Sequence, residues 1–227
     1  MSNSGNGHNG WRTQPMYSFS EVAHLAQVSA GTVRNWLLGY LTSEREFEPL
    51  FKGHPEEERA CSFLQLIEIV VAAKFRKAER CPFKTVRRAY DNARRMWPHL
   101  EYPFASLELK SIGGHIVHII RVPGLALRAV DVPEQYTIPD LVQETLAQIE
   151  YEYELASRWH PVGTEIPIVV DPKVSGGLPV VEGRGITVEA IHKRFKAKQK
   201  MDFIASDFEL ERETIEEIIR YAEQVAV

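Results

Sequence analysis

Apolar and polar positions change period several times along this chain, and each change marks an element. Between Tyr17 and Tyr40, the residues Val22, Ala23, Leu25 and Ala26, then Val33, Trp36 and Leu37, recur at helical spacing. Ser18 and Glu21 fit a capping box before the first run. Ser29 fits an N-cap before the second, and Gly39 a stop after it. Gln27-Val28 is left as a tight turn, with the small Ala23 where the two helices would cross. The pattern predicts a helix-turn-helix. Leu41–Ala60, rich in glutamate, reads as a linker or wing. Ser62 with Gln65 repeats the capping-box signature before a helix from Phe63 to about Ala78. That helix is apolar nearly all round, so it belongs at the centre of a bundle. Pro82 suits the start of the next helix, whose Val86, Ala89, Tyr90, Ala93 and Trp97 share one face up to Pro98.

The period then shortens. Leu107–Val130 reads as two or three strands, turning at Gly113-Gly114 and Pro123-Gly124. Tyr136–Ile149 predicts an amphipathic helix with Leu141, Val142, Leu146 and Ile149 inward, and Glu150–Trp159 alternates as an extended run. Ile168–Val170 and Pro179–Val181 are short strands on either side of Asp171-Pro172 and Gly176-Gly177. Thr187 fits the N-cap of a helix Val188–Lys198, followed by helices Met201–Phe208 and Glu213–Gln224. The expected fold is α+β and mostly helical: an unstructured stretch 1–15, a helix-turn-helix bundle 16–100, a middle strand/helix module 101–160, and a C-terminal domain 161–227 of three helices with short strands.

The 227 residues suffice for one to three small domains, and the 44% hydrophobic and 26% charged fractions are those of an ordinary soluble protein. The net charge of −4 conceals an asymmetry. Lys74, Arg76, Lys77, Arg80, Lys84, Arg87, Arg88, Arg94 and Arg95 crowd one segment, whereas Asp202, Asp207, Glu209, Glu211, Glu213, Glu216, Glu217 and Glu223 crowd the last. A basic end and an acidic end point to two different partners. Cys61 and Cys81 are the only cysteines, and no signal peptide is recognisable, so a reducing cytoplasm is expected. No apolar run is long enough to span a membrane.

Candidate chemistry follows the charge. On the second helix, Ala30, Thr32, Arg34 and Asn35 are not needed for the core; with the cap Ser29 they form either a plain solvated face or a DNA-reading one, since Arg and Asn make bidentate contacts to guanine and adenine. Arg87 and Arg88 belong to the basic cluster, whose sign suits either a solvated face or contact with backbone phosphate. His115 and His118, three apart on a strand, point to opposite faces and make a poor chelate. Neither a nucleophile–base pair nor a metal cluster is apparent, so an enzyme, a metal and a cofactor are not expected.

Two stretches carry a family resemblance. Phe19, Glu21-Val22-Ala23, Val28-Ser29, Thr32-Val33-Arg34 and Trp36 resemble the MerR-type N-terminus; in such proteins a second helix pair touches backbone phosphate, a contact that the cluster with Arg87 and Arg88 would make. Asp171-Pro172, Gly176-Gly177-Leu178-Pro179-Val180-Val181, Gly183 and Ile186-Thr187-Val188 resemble the antitoxin-associated family called domain of unknown function 433. Two departures stand out: Arg184 is one position earlier than in many members, and Lys198 replaces a glycine after the first helix. The resemblance implies an antitoxin of a type II pair. Such a protein silences a PIN-like ribonuclease toxin and binds operator DNA to repress their shared promoter. Gly176, Gly177, Arg184, Glu213, Glu216 and Glu217 would then face the toxin, and a homodimer is expected on DNA. The alternative is a stand-alone MerR-like regulator whose rear half dimerises or binds a small molecule.

Overall fold

The computed structural model describes residues 10–51, 60–79, 83–107 and 140–225. The strands expected beyond Leu107, with His115 and His118, lie outside the described residues, as do Cys81, Pro82 and Glu56 to Glu58. The front elements are α1 (Gly10–Thr13), β1 (Tyr17–Ser18), α2 (Phe19–Ala26), α3 (Ala30–Leu38), the hairpin β2 (Tyr40–Leu41) and β3 (Glu46–Phe47), β4 (Ala60–Cys61), α4 (Phe63–Glu79) and α5 (Phe83–Met96). A 3-10 turn at Pro103–Ala105 follows. The rear elements are α6 (Asp140–Ala147), β5 (Ile149–Glu152), β6 (Leu155–Trp159), β7 (Ile168–Val170), β8 (Pro179–Val181), α7 (Val188–Lys196), α8 (Met201–Phe208) and α9 (Arg212–Val225). The fold is α+β and mostly helical, with small antiparallel sheets.

Local signals account for most helix boundaries. The Glu21 amide donates to Ser18 Oγ (3.2 Å) while the Ser18 amide donates to Glu21 Oε2 (2.7 Å), closing the capping box. Gln27 turns left-handed (φ 55°) to end α2. Gly39 ends α3 at φ +73°, where a side chain would run into the Phe47 carbonyl. On α4, Ser62 and Gln65 form the second box, at 2.8 and 3.3 Å. Residues 63–73 of α4 are all buried, so the helix runs through the front core as its apolar circumference requires. In the same core the rings of Trp36, Phe51, Tyr90 and Phe104 meet edge-on in sequence, and Phe75 of α4 meets Phe104 at a tilt. Glu68 lies inside this core.

The sheet β5-β6-β7-β8 is antiparallel throughout. It takes two strands from each side of the boundary expected at 160/161. Val170 packs in the front core, whereas Ile168 and Val181 pack with Val188, Ile191, Ile204, Ile215, Ile218 and Ile219 in the rear one.

Four expectations need correction. Residues 10–13 form a helical turn rather than an unstructured end, because Arg12 is fully buried and pairs with Glu152 at 2.9 Å. Ile149 is not on the helix but opens β5 opposite Trp159. The run 150–159 is a hairpin, turning at Tyr153 (φ 50°) and Glu154 (φ 66°). Such turns favour Asn-Gly, so neither residue announces one. The helix expected to reach Lys198 stops at Lys196, and Lys198 turns left-handed at φ 62°.

Candidate nucleic-acid and protein interfaces

The helix-turn-helix presents a polar face on α3. Val33, Trp36 and Leu37 turn inward, leaving Arg34 exposed and Thr32 and Asn35 half-buried. Ser29 and Thr32 are already engaged: the Thr32 amide donates to Ser29 Oγ (3.0 Å), and the two hydroxyls share a hydrogen bond (2.9 Å). Their role is to start the helix; Arg34 and Asn35 remain the side chains suited to base edges. The hairpin β2–β3 follows directly and is held rigid at its turn. Thr42 Oγ1 donates to the Arg45 carbonyl (2.8 Å) and accepts from the Arg45 amide (3.0 Å). Its exposed Arg45 is a cation beside α3 that the glutamates around it hid in the sequence.

The basic helix α5 divides its arginines between roles. The Arg87 guanidinium donates to the carbonyls of Pro49 (2.8 Å) and Glu48 (2.6 Å) and lies 5.3 Å from the centre of the Phe83 ring. It staples the end of the hairpin to α5, where a free phosphate contact was expected. Arg88 is half-buried, while Lys84 and Arg95 are exposed. On α4, Lys77 donates to Gln27 Oε1 at 3.3 Å, tying the basic face to the turn between α2 and α3.

The C-terminal glycines divide as well. Gly176 (φ +65°) has open space around it. Gly177 (φ +77°) is buried, and the close approach it permits is to Tyr17 of this same chain. A partner protein therefore does not find Gly177 free. Arg184 donates to Glu209 (3.1 Å) and to the Phe208 carbonyl (3.4 Å). On α9, Glu216 accepts from Arg212 at 2.9 Å and Glu217 pairs with Arg220 within the helix, while Glu213 is exposed. The acidic end is thus partly neutralised by its own cations.

One cluster was not anticipated. Ligand atoms of Glu150, His160 and Glu182 lie within 4.8 Å of one another. His160 Nε2 is 2.6 Å from Glu150 Oε1, and Arg158 pairs with Glu150 (3.1 Å), Asp171 (3.4 Å) and Glu182. Burial alone would raise the Glu150 carboxyl, but the His160 hydrogen bond and the Arg158 charge bring it below its ordinary range. The guanidinium supplies the positive charge these acids need, so the cluster cross-links β5 and β6 with the residues just after β7 and β8. The residues are scattered over four segments, and no spacing in the sequence signals them.

No helix among the described residues is long and apolar enough to cross a membrane.

Comparison with known proteins adds three findings. Residues 168–222 match the family model described as protein of unknown function (DUF433). Two relatives from Mycobacterium tuberculosis strain H37Rv align along most of the chain. One, named "Uncharacterized protein Rv2308", is 22% identical and covers 92% of this chain and 90% of its own length. The other, named "Putative antitoxin VapB45", is 25% identical and covers 86% of this chain and 88% of its own length. The crystal structure of Rv2018 from Mycobacterium tuberculosis has the same fold, with a TM-score of 0.70 at 23% identity over 91% of this chain and 98% of that one.

Proposed function

We propose that this chain is the antitoxin of a type II toxin–antitoxin pair. Its C-terminal domain binds and neutralises a PIN-like ribonuclease. Its MerR-like head, residues 16–100, binds promoter DNA and represses the shared operon. The alignment along 86% of the chain with the relative named as an antitoxin carries this proposal. The polar face of α3, with exposed Arg34 and half-buried Asn35, supports the DNA half. The protein acts as a cytoplasmic homodimer, since a head this small gains useful affinity from two half-sites. On the rear domain the residues offered to the toxin are Gly176, Arg184, Glu213, Glu216 and Glu217, with Gly177 holding the loop in shape. Catalysis has no part in this role.

The test is co-expression of the full chain with the product of the neighbouring reading frame, which this reading expects to be a PIN-type ribonuclease. Restored growth and co-purification of the two proteins are expected. If growth stays arrested and the proteins purify apart, the neutralising role is wrong. A gel-shift titration with the promoter fragment tests the DNA role separately.

A further inference from the structure

Among the described residues, two contacts join the C-terminal domain to the helix-turn-helix and the segment that leads into it. At the first, the Tyr17 hydroxyl, buried, donates to the Gly177 carbonyl at 2.9 Å. Gly177 holds φ +77°, and a β-carbon there would collide with the Tyr17 ring and press on the Met16 sulfur. The same loop places the Lys173 ammonium 4.3 Å from the centre of the Trp11 ring, on which the Arg12 guanidinium also sits at 4.5 Å. Lys173 and Arg12 both pair with Glu152, at 3.7 and 2.9 Å. At the second place, a cleft of ≈ 760 Å³ is lined by Gln27, Ser29 and Lys77 on one side and by Gln224 and Val225 of α9 on the other.

What lies next to Tyr17 gives the first contact its consequence. Ser18 is the N-cap of α2, and its amide and hydroxyl both bond to Glu21. A shift of Tyr17 is therefore a shift of the cap that starts α2, and α2 packs on α3. We propose that the loop Lys173–Gly177 is a seat for the helix-turn-helix. Tyr17 and Gly177 are positioning residues through which the state of the C-terminal domain reaches α2 and α3. The consequence for DNA rests on the function proposed above; the seating itself does not.

The experiment uses the full chain and two variants, Tyr17→Phe and Lys173→Ala. Lys173 is exposed, so its variant remains folded even if loss of the phenol hydroxyl is not tolerated. Amide hydrogen exchange is followed by mass spectrometry across residues 19–38, with α4 and α9 as references. Exchange in 19–38 is expected to rise about five-fold or more, the lower end of ordinary coupling between sites. The references should keep their rates, since a general loss of stability would speed all three regions together. Gel-shift titration with the promoter fragment should show weaker binding with an unchanged salt slope, because the phosphate contacts are the same. If exchange across 19–38 is unaltered in both variants, or rises only together with α4 and α9, the seat is wrong. If exchange responds as expected while DNA affinity does not, the seat stands and the DNA-reading role of α3 falls.

Discussion

Glu68 sits on α4 among Phe63, Leu66, Ile67 and Val70 with its carboxyl out of water. Burial pushes that carboxyl up to about 8, against the bonds it accepts from the Phe104 amide and the Tyr90 hydroxyl, each 3.3 Å. At neutral pH it holds a proton in the native state that the unfolded chain, titrating near 4.3, has released. The native state binds the extra proton between these two values, so this group's contribution to stability is greatest at low pH and declines as pH rises across that window. Glu68→Gln keeps a carbonyl acceptor for the Phe104 amide, replaces the acceptor for the Tyr90 hydroxyl with an amide donor to its oxygen, and cannot ionise. Melting temperatures from about pH 5 to about pH 8 should fall less steeply for the variant than for the parent. Equal slopes would mean that Glu68 does not carry the proton. Lys198 is a second residue under local strain. It occupies φ 62°, and the Lys198 and Gln199 amides bond back to Phe195 (2.8 Å) and Arg194 (3.2 Å) in the manner of a glycine C-cap. Lys198→Gly should raise stability by about 1 kcal/mol, the usual cost of a left-handed L-residue; chemical denaturation measures it, and a loss of stability would refute it.

At the scale of the element, α3 and α5 carry side chains of the same charge with different duties. Arg34 stands exposed on α3 with no part in the core, so Arg34→Ala should cost about 1–3 kcal/mol of base discrimination and leave the fold intact. Arg87 holds two backbone carbonyls of the segment after the hairpin. Arg87→Ala should therefore lower stability by about 1–3 kcal/mol, with the salt slope of DNA binding unchanged. Paired thermal melts and gel-shift titrations separate the two. A flattened salt slope at full stability would return Arg87 to the phosphate role its sequence position implied. This difference marks how far the elements were legible. The helix-turn-helix, both capping boxes, the central α4 and the cap at Thr187 follow from local rules, and the structure has them. What stayed hidden depends on distant partners. Arg12 is buried and paired with Glu152, Arg87 is claimed by a loop thirty-eight positions away, and Gly177 is closed by Tyr17. The hairpin at Tyr153–Glu154 was hidden for another reason: two residues with no preference for positive φ occupy it.

At the scale of the whole molecule, the contrast between a basic front and an acidic rear is weaker than the linear charge implies. In the rear domain Arg194 pairs with Asp207, Arg184 with Glu209, Lys196 with Glu223, and Arg212 with Asp202 and Glu216. Removal of everything after Pro161 is also a poor probe of this domain. It would strip β7 and β8 from β6, take Val170 out of the front core and deprive Tyr17 of its acceptor. The partner-binding proposal is better tested by one charge in the full chain. Glu213 is exposed in the first turn of α9, where the helix dipole favours a carboxylate. A basic ribonuclease approaching this end would feel that charge before contact. Glu213→Lys should therefore slow association with the toxin at low salt and leave dissociation nearly unchanged, as expected of a rim charge. The difference should vanish as ionic strength rises from about 0.01 M to about 1 M, since the screening length contracts from about 30 Å to about 3 Å. Stopped-flow mixing with the purified toxin measures both rates, and promoter binding, expected to be unchanged because Glu213 lies at the start of α9 and the cleft beside Ser29 at its end, serves as the control. Equal association rates at low salt would remove α9 from the path of approach and leave the glycine loop and Arg184 as the proposed contacts of this domain.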